Sequence, residues 1–135
     1  DGWQVTAAQR LDINVLRELA GRLRLRVAAI VPDASALGAF FPWVTAAEQG
    51  LAWRDEKHWL WATHEAWGCD ACDAIGSLSQ LAGQLQVPLR LCADAGDEAS
   101  RFDVWQVVHR RQPPLPADGD RYAIALGLAL GGRAP

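Results

Sequence analysis

The chain has 135 residues, of which half are hydrophobic and 21% charged, and its formal net charge is -3. This balance excludes a disordered polymer, a bilayer-spanning apolar run and a strongly basic surface devoted to nucleic acid. It leaves room for one domain, or for two subdomains that share a core.

Residues 3–7 suit a short strand, and Thr6 followed by Gln9 is a capping-box pattern that starts a helix reaching about Arg24. Ile13, Leu16, Ala20 and Leu23 recur at helical spacing, Val15 and Leu19 widen that stripe, and the pattern predicts a buried face. Residues 25–31 are rich in branched apolar side chains and stop at Pro32, as a buried strand would. Pro32-Asp33 then opens a short helical segment at 34–39. Residues 1–43 therefore read as a β-α-β-α segment, and 44–135 as a second subdomain.

Residues 50–54 and 58–63 form a predicted hairpin around the polar turn Asp55-Glu56-Lys57. Alternation puts Trp59, Trp61 and Thr63 on one face and Leu60 and Ala62 on the other, so this strand should be central and covered on both sides. Helical periodicity runs from Asp70 to Gln86 through Ile75, Leu78, Leu81 and Leu85, and Val87-Pro88 ends it. Residues 89–93 make a compact strand. Residues 102–108 fit a strand or a short helix, and the prolines of 111–116 hold an extended segment. Asp120 serves as N-cap for a last helix at 121–130, apolar all round and hence expected to be buried, with Gly127 allowing a close approach. The pattern is that of an α/β protein.

Cys69, Cys72 and Cys92 are an odd number of cysteines in a chain with no secretory feature, which argues against a disulfide framework. Cys69-Asp-Ala-Cys72 falls where a helix is expected to begin, and a helix N-terminus lowers a thiol pKa, so a redox reading has a mechanism. Against it stand two ordinary cysteines on one helical turn. A zinc reading would join His64 to Cys69 and Cys72, with Asp70, Asp73 or Cys92 as fourth ligand. His58 lies about 20 Å along the strand from His64, too far to share an ion. The acidic cluster Asp94, Asp97 and Glu98 lacks EF-hand spacing and reads as a solvated loop. Asp118-Gly119-Asp120 reads as a turn and cap, and Arg22, Arg24 and Arg26 as a solvated edge. His109 sits beside Arg110 and Arg111 with no carboxylate partner in sequence. No nucleophile elbow, metalloprotease helix or phosphate-binding glycine loop is present, so no catalytic or metal residue is assigned. Tryptophan is the compositional outlier, with 7 residues. Trp59, Trp61 and Trp67 either fill a core or form an aromatic platform for a partner segment.

Val5-Thr-Ala-Ala-Gln9, Pro32-Asp-Ala-Ser-Ala-Leu37, Leu51-Ala-Trp-Arg-Asp55, Trp59-Leu-Trp-Ala-Thr63, Arg111-Gln-Pro-Pro-Leu-Pro116 and Ala123-Ile-Ala-Leu-Gly-Leu-Ala-Leu130 together resemble the C-terminal half of the HofM family. That family is similar to PilM of type IV pilus assembly and, more distantly, to GspL of type II secretion. The resemblance implies a partial actin-like, RNase H-like fold, a mixed sheet with flanking helices. Residues 1–43 would then be a small subdomain and linking helix, and 44–135 the second-half subdomain. It further implies a scaffold of type IV pilus assembly or DNA uptake, on the cytoplasmic face of the inner membrane. Such a scaffold holds the cytoplasmic segment of an inner-membrane PilN/HofN-like partner in the pilus assembly platform, with no direct nucleic-acid contact and no membrane insertion. The family's phosphate signature is absent, since residues 42–50 read PWVTAAEQG. No ATP site is therefore transferred to this chain, and nucleotide binding is left to the full-length protein. The lack of Met, the start at Asp1 and the absence of a signal peptide agree with a piece of a longer protein.

Overall fold

The computed structural model describes residues 5, 7–27, 29–44, 49–93, 100–110 and 114–131. They divide into two compact units, Asp1–Ile30 and Val31–Pro135.

The first unit holds helix α1, Arg10–Arg22. Thr6 and most of the strand expected at 3–7 lie outside the described residues, and Gln9 occupies the N-cap without a side-chain bond. The helical period is realised, and Glu18 pairs with Arg22 one turn on at 2.8 Å. The expected burial is not: no residue of α1 is buried, and Leu16 is 52% and Leu19 49% exposed. Amphipathic spacing makes a helix with an apolar stripe, but burial requires a facing element, and none of the described residues of the first unit supplies one. The strand expected at 25–31 is likewise not formed among the described residues, and Leu25, Val27, Ile30 and Val31 are exposed. Branched side chains favour extended backbone, but a strand exists only where a ladder partner does.

The second unit is built on five strands: β1 (Gly50–Arg54), β2 (His58–Ala62), β3 (Trp67–Ala71), β4 (Leu89–Cys92) and β5 (Arg101–Phe102). Their order is β3-β2-β1-β4-β5. β1, β2 and β3 form an antiparallel meander, and helix α2 (Leu78–Leu85) then carries the chain across to β4, which lies parallel to β1 and to β5. This α/β architecture, a five-stranded mixed sheet with flanking helices, is consistent with a partial actin-like fold.

The expected hairpin is present in register, Leu51 opposite Ala62 and Arg54 opposite Trp59, and β2 is paired on both sides. Its alternation sorts the core into two layers. On one face Trp59 joins Ala52, Ile75, Leu81 and Leu89 under α2. On the other, Leu51, Leu60 and Ala62 meet Leu37, Phe40 and Phe102. This second layer is closed by a 3₁₀ segment, Ala34–Trp43, and by helix α3, Ala123–Gly131. Asp33 starts the 3₁₀ segment by accepting the Ala34 N–H at 2.8 Å, where a short helical turn is expected from Pro32-Asp33.

Two expectations are corrected and one open reading is resolved. Residues 70–71 continue β3 and the helix begins only at Leu78, where Ser77 caps it by accepting the Gln80 N–H at 3.2 Å; it ends at Gln86 in the left-handed region, φ 55°. Helical spacing of the later leucines is real, but strand pairing with β2 claims the first residues. Residues 101–108 are both alternatives in turn, the strand β5 and a 3₁₀ segment, Val104–Val107. The last helix is preceded by a 3₁₀ turn, Gly119–Tyr122, so Asp120 is not its cap, and α3 is not buried all round. Ala123 and Gly127, one turn apart, are its buried line, whereas Leu128 is 42% exposed and Ala125 and Ala129 are exposed. Gly127 is where α3 touches the 3₁₀ segment, for a Cβ there would sit 3.0 Å from the Ala36 carbonyl carbon.

Candidate functional site

The β1–β2 turn organises one end of the sheet. Asp55 accepts the N–H groups of Lys57 and His58 through one carboxylate oxygen, at 2.7 and 2.6 Å. Those two bonds hold its carboxyl below the usual Asp range, because they favour the charged form. Across from the turn, Trp53 donates its indole N–H to the Asp120 carbonyl at 2.9 Å, tying β1 to the approach to α3. Between these elements lies a cleft of about 450 Å³. Leu60 and Ile124 give it an apolar floor, and Asp33, Asp55, His58 and Cys69 its polar rim. A wider cleft of about 870 Å³ shares Trp53 and Asp55 and is lined also by Arg54, Lys57 and Arg121. The His58 Nδ1 stands 4.0 Å from Asp55 Oδ1, a contact that becomes an ion pair only when the imidazole is protonated.

The cysteine pair is not at a helix N-terminus. Cys69 lies within β3 opposite Leu60, on the face of the 3₁₀ segment, whereas Cys72 follows the strand and packs with the layer under α2. The two thiols therefore leave the sheet on opposite sides, and all three cysteines are free. Partial desolvation, and then the negative charges of Asp33, Asp70 and Asp55, push the Cys69 thiol up. A redox dithiol needs the reverse, a lowered pKa and a facing partner. Cys92 is buried and pushed up to about 12 by desolvation.

Among the described residues no group of three or more His, Cys, Asp or Glu is placed to hold a metal ion. His64 stacks on Phe41, with ring centroids 4.4 Å apart. The acidic cluster Asp94, Asp97 and Glu98 lies outside the described residues. Asp118 precedes its 3₁₀ turn without a side-chain cap bond, and Arg24 and Arg26 are exposed.

The three tryptophans do not meet on one surface. Trp59 is 2% exposed and donates its indole N–H to the Ile75 carbonyl at 2.8 Å. Trp61 lies on the same face, bonded to Asp70 Oδ2 at 2.8 Å and packed across Gly68, where a Cβ would stand only 2.5 Å from its ring. Trp67 pairs with Ala62 and so leaves the opposite face, where it is 42% exposed. Strand alternation placed Trp59 and Trp61 together, but the face of Trp67 depends on the register of β3. Asp33 and Asp55 escaped notice as cleft residues, although both carry a local signal: an Asp opening a helical turn and an Asp opening a hairpin turn.

No protein-family model matches the chain, and no solved structure matches it. Among the described residues no helix is long and apolar enough to cross a membrane. The chain is 47% identical over 132 residues to the DNA utilization protein HofM of Escherichia coli (strain K12). The match covers 96% of this chain and 49% of that protein, so the chain spans about half the length of the relative it matches. The similarity to HofM thus extends over nearly all of this chain's own length.

Proposed function

We propose that the chain is part of a non-enzymatic scaffold of DNA-uptake or type IV pilus machinery, acting by protein contacts at the inner face of the bacterial inner membrane. Its partner in this reading is the cytoplasmic segment of an inner-membrane PilN/HofN-like protein within the assembly platform. The observation that carries it is the 47% identity to HofM, whose name, DNA utilization protein, describes DNA handling and no catalytic step. One structural feature supports a binding role: α1 carries an apolar stripe through Leu16 and Leu19 that its own unit leaves exposed. In this reading the chain carries no cofactor of its own, and any nucleotide belongs to the full-length protein.

Calorimetric titration of the full-length protein with the cytoplasmic peptide of the PilN/HofN-like partner, beside a titration with Mg-ATP and a phosphate-release assay, tests it. Peptide binding without turnover is the expected result. Sustained ATP hydrolysis with no peptide binding would overturn it in favour of an actin-like ATPase.

A further inference from the structure

Cys69, which lines the smaller cleft, belongs to a strand at one edge of the sheet. β3 pairs with β2 alone, and the order β3-β2-β1-β4-β5 puts it at one end. The bonds from Cys72 N–H to the Lys57 carbonyl (2.8 Å) and from Thr63 N–H to the Ala66 carbonyl (2.7 Å) fix which backbone groups face β2. In an antiparallel ladder these alternate, so residues 66, 68, 70 and 72 bond inward and residues 67, 69 and 71 turn their N–H and C=O groups outward. The Ala71 carbonyl is taken by Ala74 and Ile75, which leaves Trp67 and Cys69 to present a bonding edge. The strand Trp67-Gly-Cys-Asp-Ala71 carries no Lys or Pro, the residues that commonly block addition of another strand.

Those same two residues direct their side chains to the face where the cleft lies. Asp33 and Asp55 line it beside His58, and among the described residues no Lys or Arg does so. Arg54 lies instead over the Trp59 ring at 5.1 Å, and Lys57 and Arg121 line the neighbouring cleft. Asp55 accepts two backbone N–H bonds that favour its charged form, and Asp33 accepts the Ala34 N–H. Their negative charge is felt at the Cys69 sulfur, where it opposes loss of the proton. On a strand added outside β3, the residue opposite Cys69 would emerge on this face about 5 Å away. A Lys or Arg there has the length to bring its cation between Asp33 and Asp55, while a second basic residue two positions along, on the same face, would lie over the exposed ring of Trp67.

We infer that the β3 edge and its cleft bind an extended, basic segment of a partner protein, which adds to the sheet as a sixth strand and seats one Lys or Arg between Asp33 and Asp55. This rests on the protein-binding reading above and gives that partner a chemistry: alternating basic and apolar residues in extended conformation.

The test is fluorescence anisotropy on the full-length protein with a labelled hexapeptide of alternating Lys and Val. Binding is expected, with no binding of a Glu/Val peptide of the same pattern. N-methylation of alternate peptide nitrogens should abolish it, because it blocks a strand but leaves charge intact. Asp33→Asn, which keeps the oxygen that caps Ala34, should weaken it about fivefold. Cys69→Arg, at an exposed position, should weaken it further by filling the cleft with a like charge. Absence of binding, or binding indifferent to N-methylation and to both substitutions, would overturn the proposal. If the PilN/HofN-like peptide still binds in that case, the scaffold role stands and only the docking place is lost; if neither peptide binds, both fail.

Discussion

Replacing Gly127 by Ala isolates what holds α3 to the sheet. In a solvated helix interior Gly→Ala stabilises by about 1 kcal/mol, since glycine loses more backbone entropy on folding. At Gly127 the added Cβ would press on the carbonyl of Ala36, a backbone group, with the carbonyl carbon at 3.0 Å and Phe40 Cε2 at 3.2 Å. A carbonyl of the 3₁₀ segment cannot swing away as a side-chain tip can, so α3 must lift by several tenths of an ångström. That movement loosens the layer containing Leu37, Phe40 and Ala123, each 0% exposed. Overpacking of this kind costs about 1–3 kcal/mol, which offsets or exceeds the helix-propensity gain, so a net loss of up to about 2 kcal/mol is expected. For a chain of this length that lowers Tm by up to about 8 °C. The control is Gly83→Ala in α2, where nothing lies within 4 Å of the new methyl and Tm should rise by a few degrees. Thermal unfolding followed by circular dichroism distinguishes the two signs. If Gly127→Ala raised Tm as Gly83→Ala does, the close approach of α3 to Ala36 would be refuted.

Gly68→Ala should destabilise by about 1–3 kcal/mol and shift the tryptophan emission, since the methyl displaces Trp61 and breaks its bond to Asp70; an unchanged spectrum would contradict that packing. Cys92 carries a proton in the fold up to about 12 that the unfolded chain releases near 9.0. Its contribution is therefore complete below pH 9 and lost as pH rises toward 12, with a slope of up to about 1.4 kcal/mol per pH unit. Cys92→Val should flatten that alkaline fall in chemical-denaturation midpoints measured across the window. Mild oxidation should produce no Cys69–Cys72 disulfide by mass spectrometry, because the two side chains occupy opposite faces of the sheet.

The β1–β2 hairpin was legible because everything it needs is local: two apolar runs, a polar three-residue turn, and an Asp able to accept N–H groups two and three residues on. The same holds for the two-sided burial of β2, which a strict alternation of Trp59, Leu60, Trp61 and Ala62 encodes directly. Residues 69–72 misled for the opposite reason. Their local pattern admits a helix start, and the ladder from His58 opposite Ala71 to Ala62 opposite Trp67 outweighs it. The cleft was not legible at all. Asp33 and Cys69 are 36 positions apart, and only the packing of the 3₁₀ segment over β2 and β3 brings them to one rim.

The sequence by itself determined the α/β class, the hairpin, the amphipathic character of α1 and α2, and the motifs shared with HofM, since each rests on residues within a few positions of one another. Tertiary structure alone decided which apolar faces are covered. α1 has the periodicity of a core helix and no cover among the described residues of its own unit, while α3, apolar throughout, is buried only along Ala123 and Gly127. Periodicity fixes where side chains point around an axis; whether water is removed from them depends on what packs against that side, which is a property of contacts made across the whole chain.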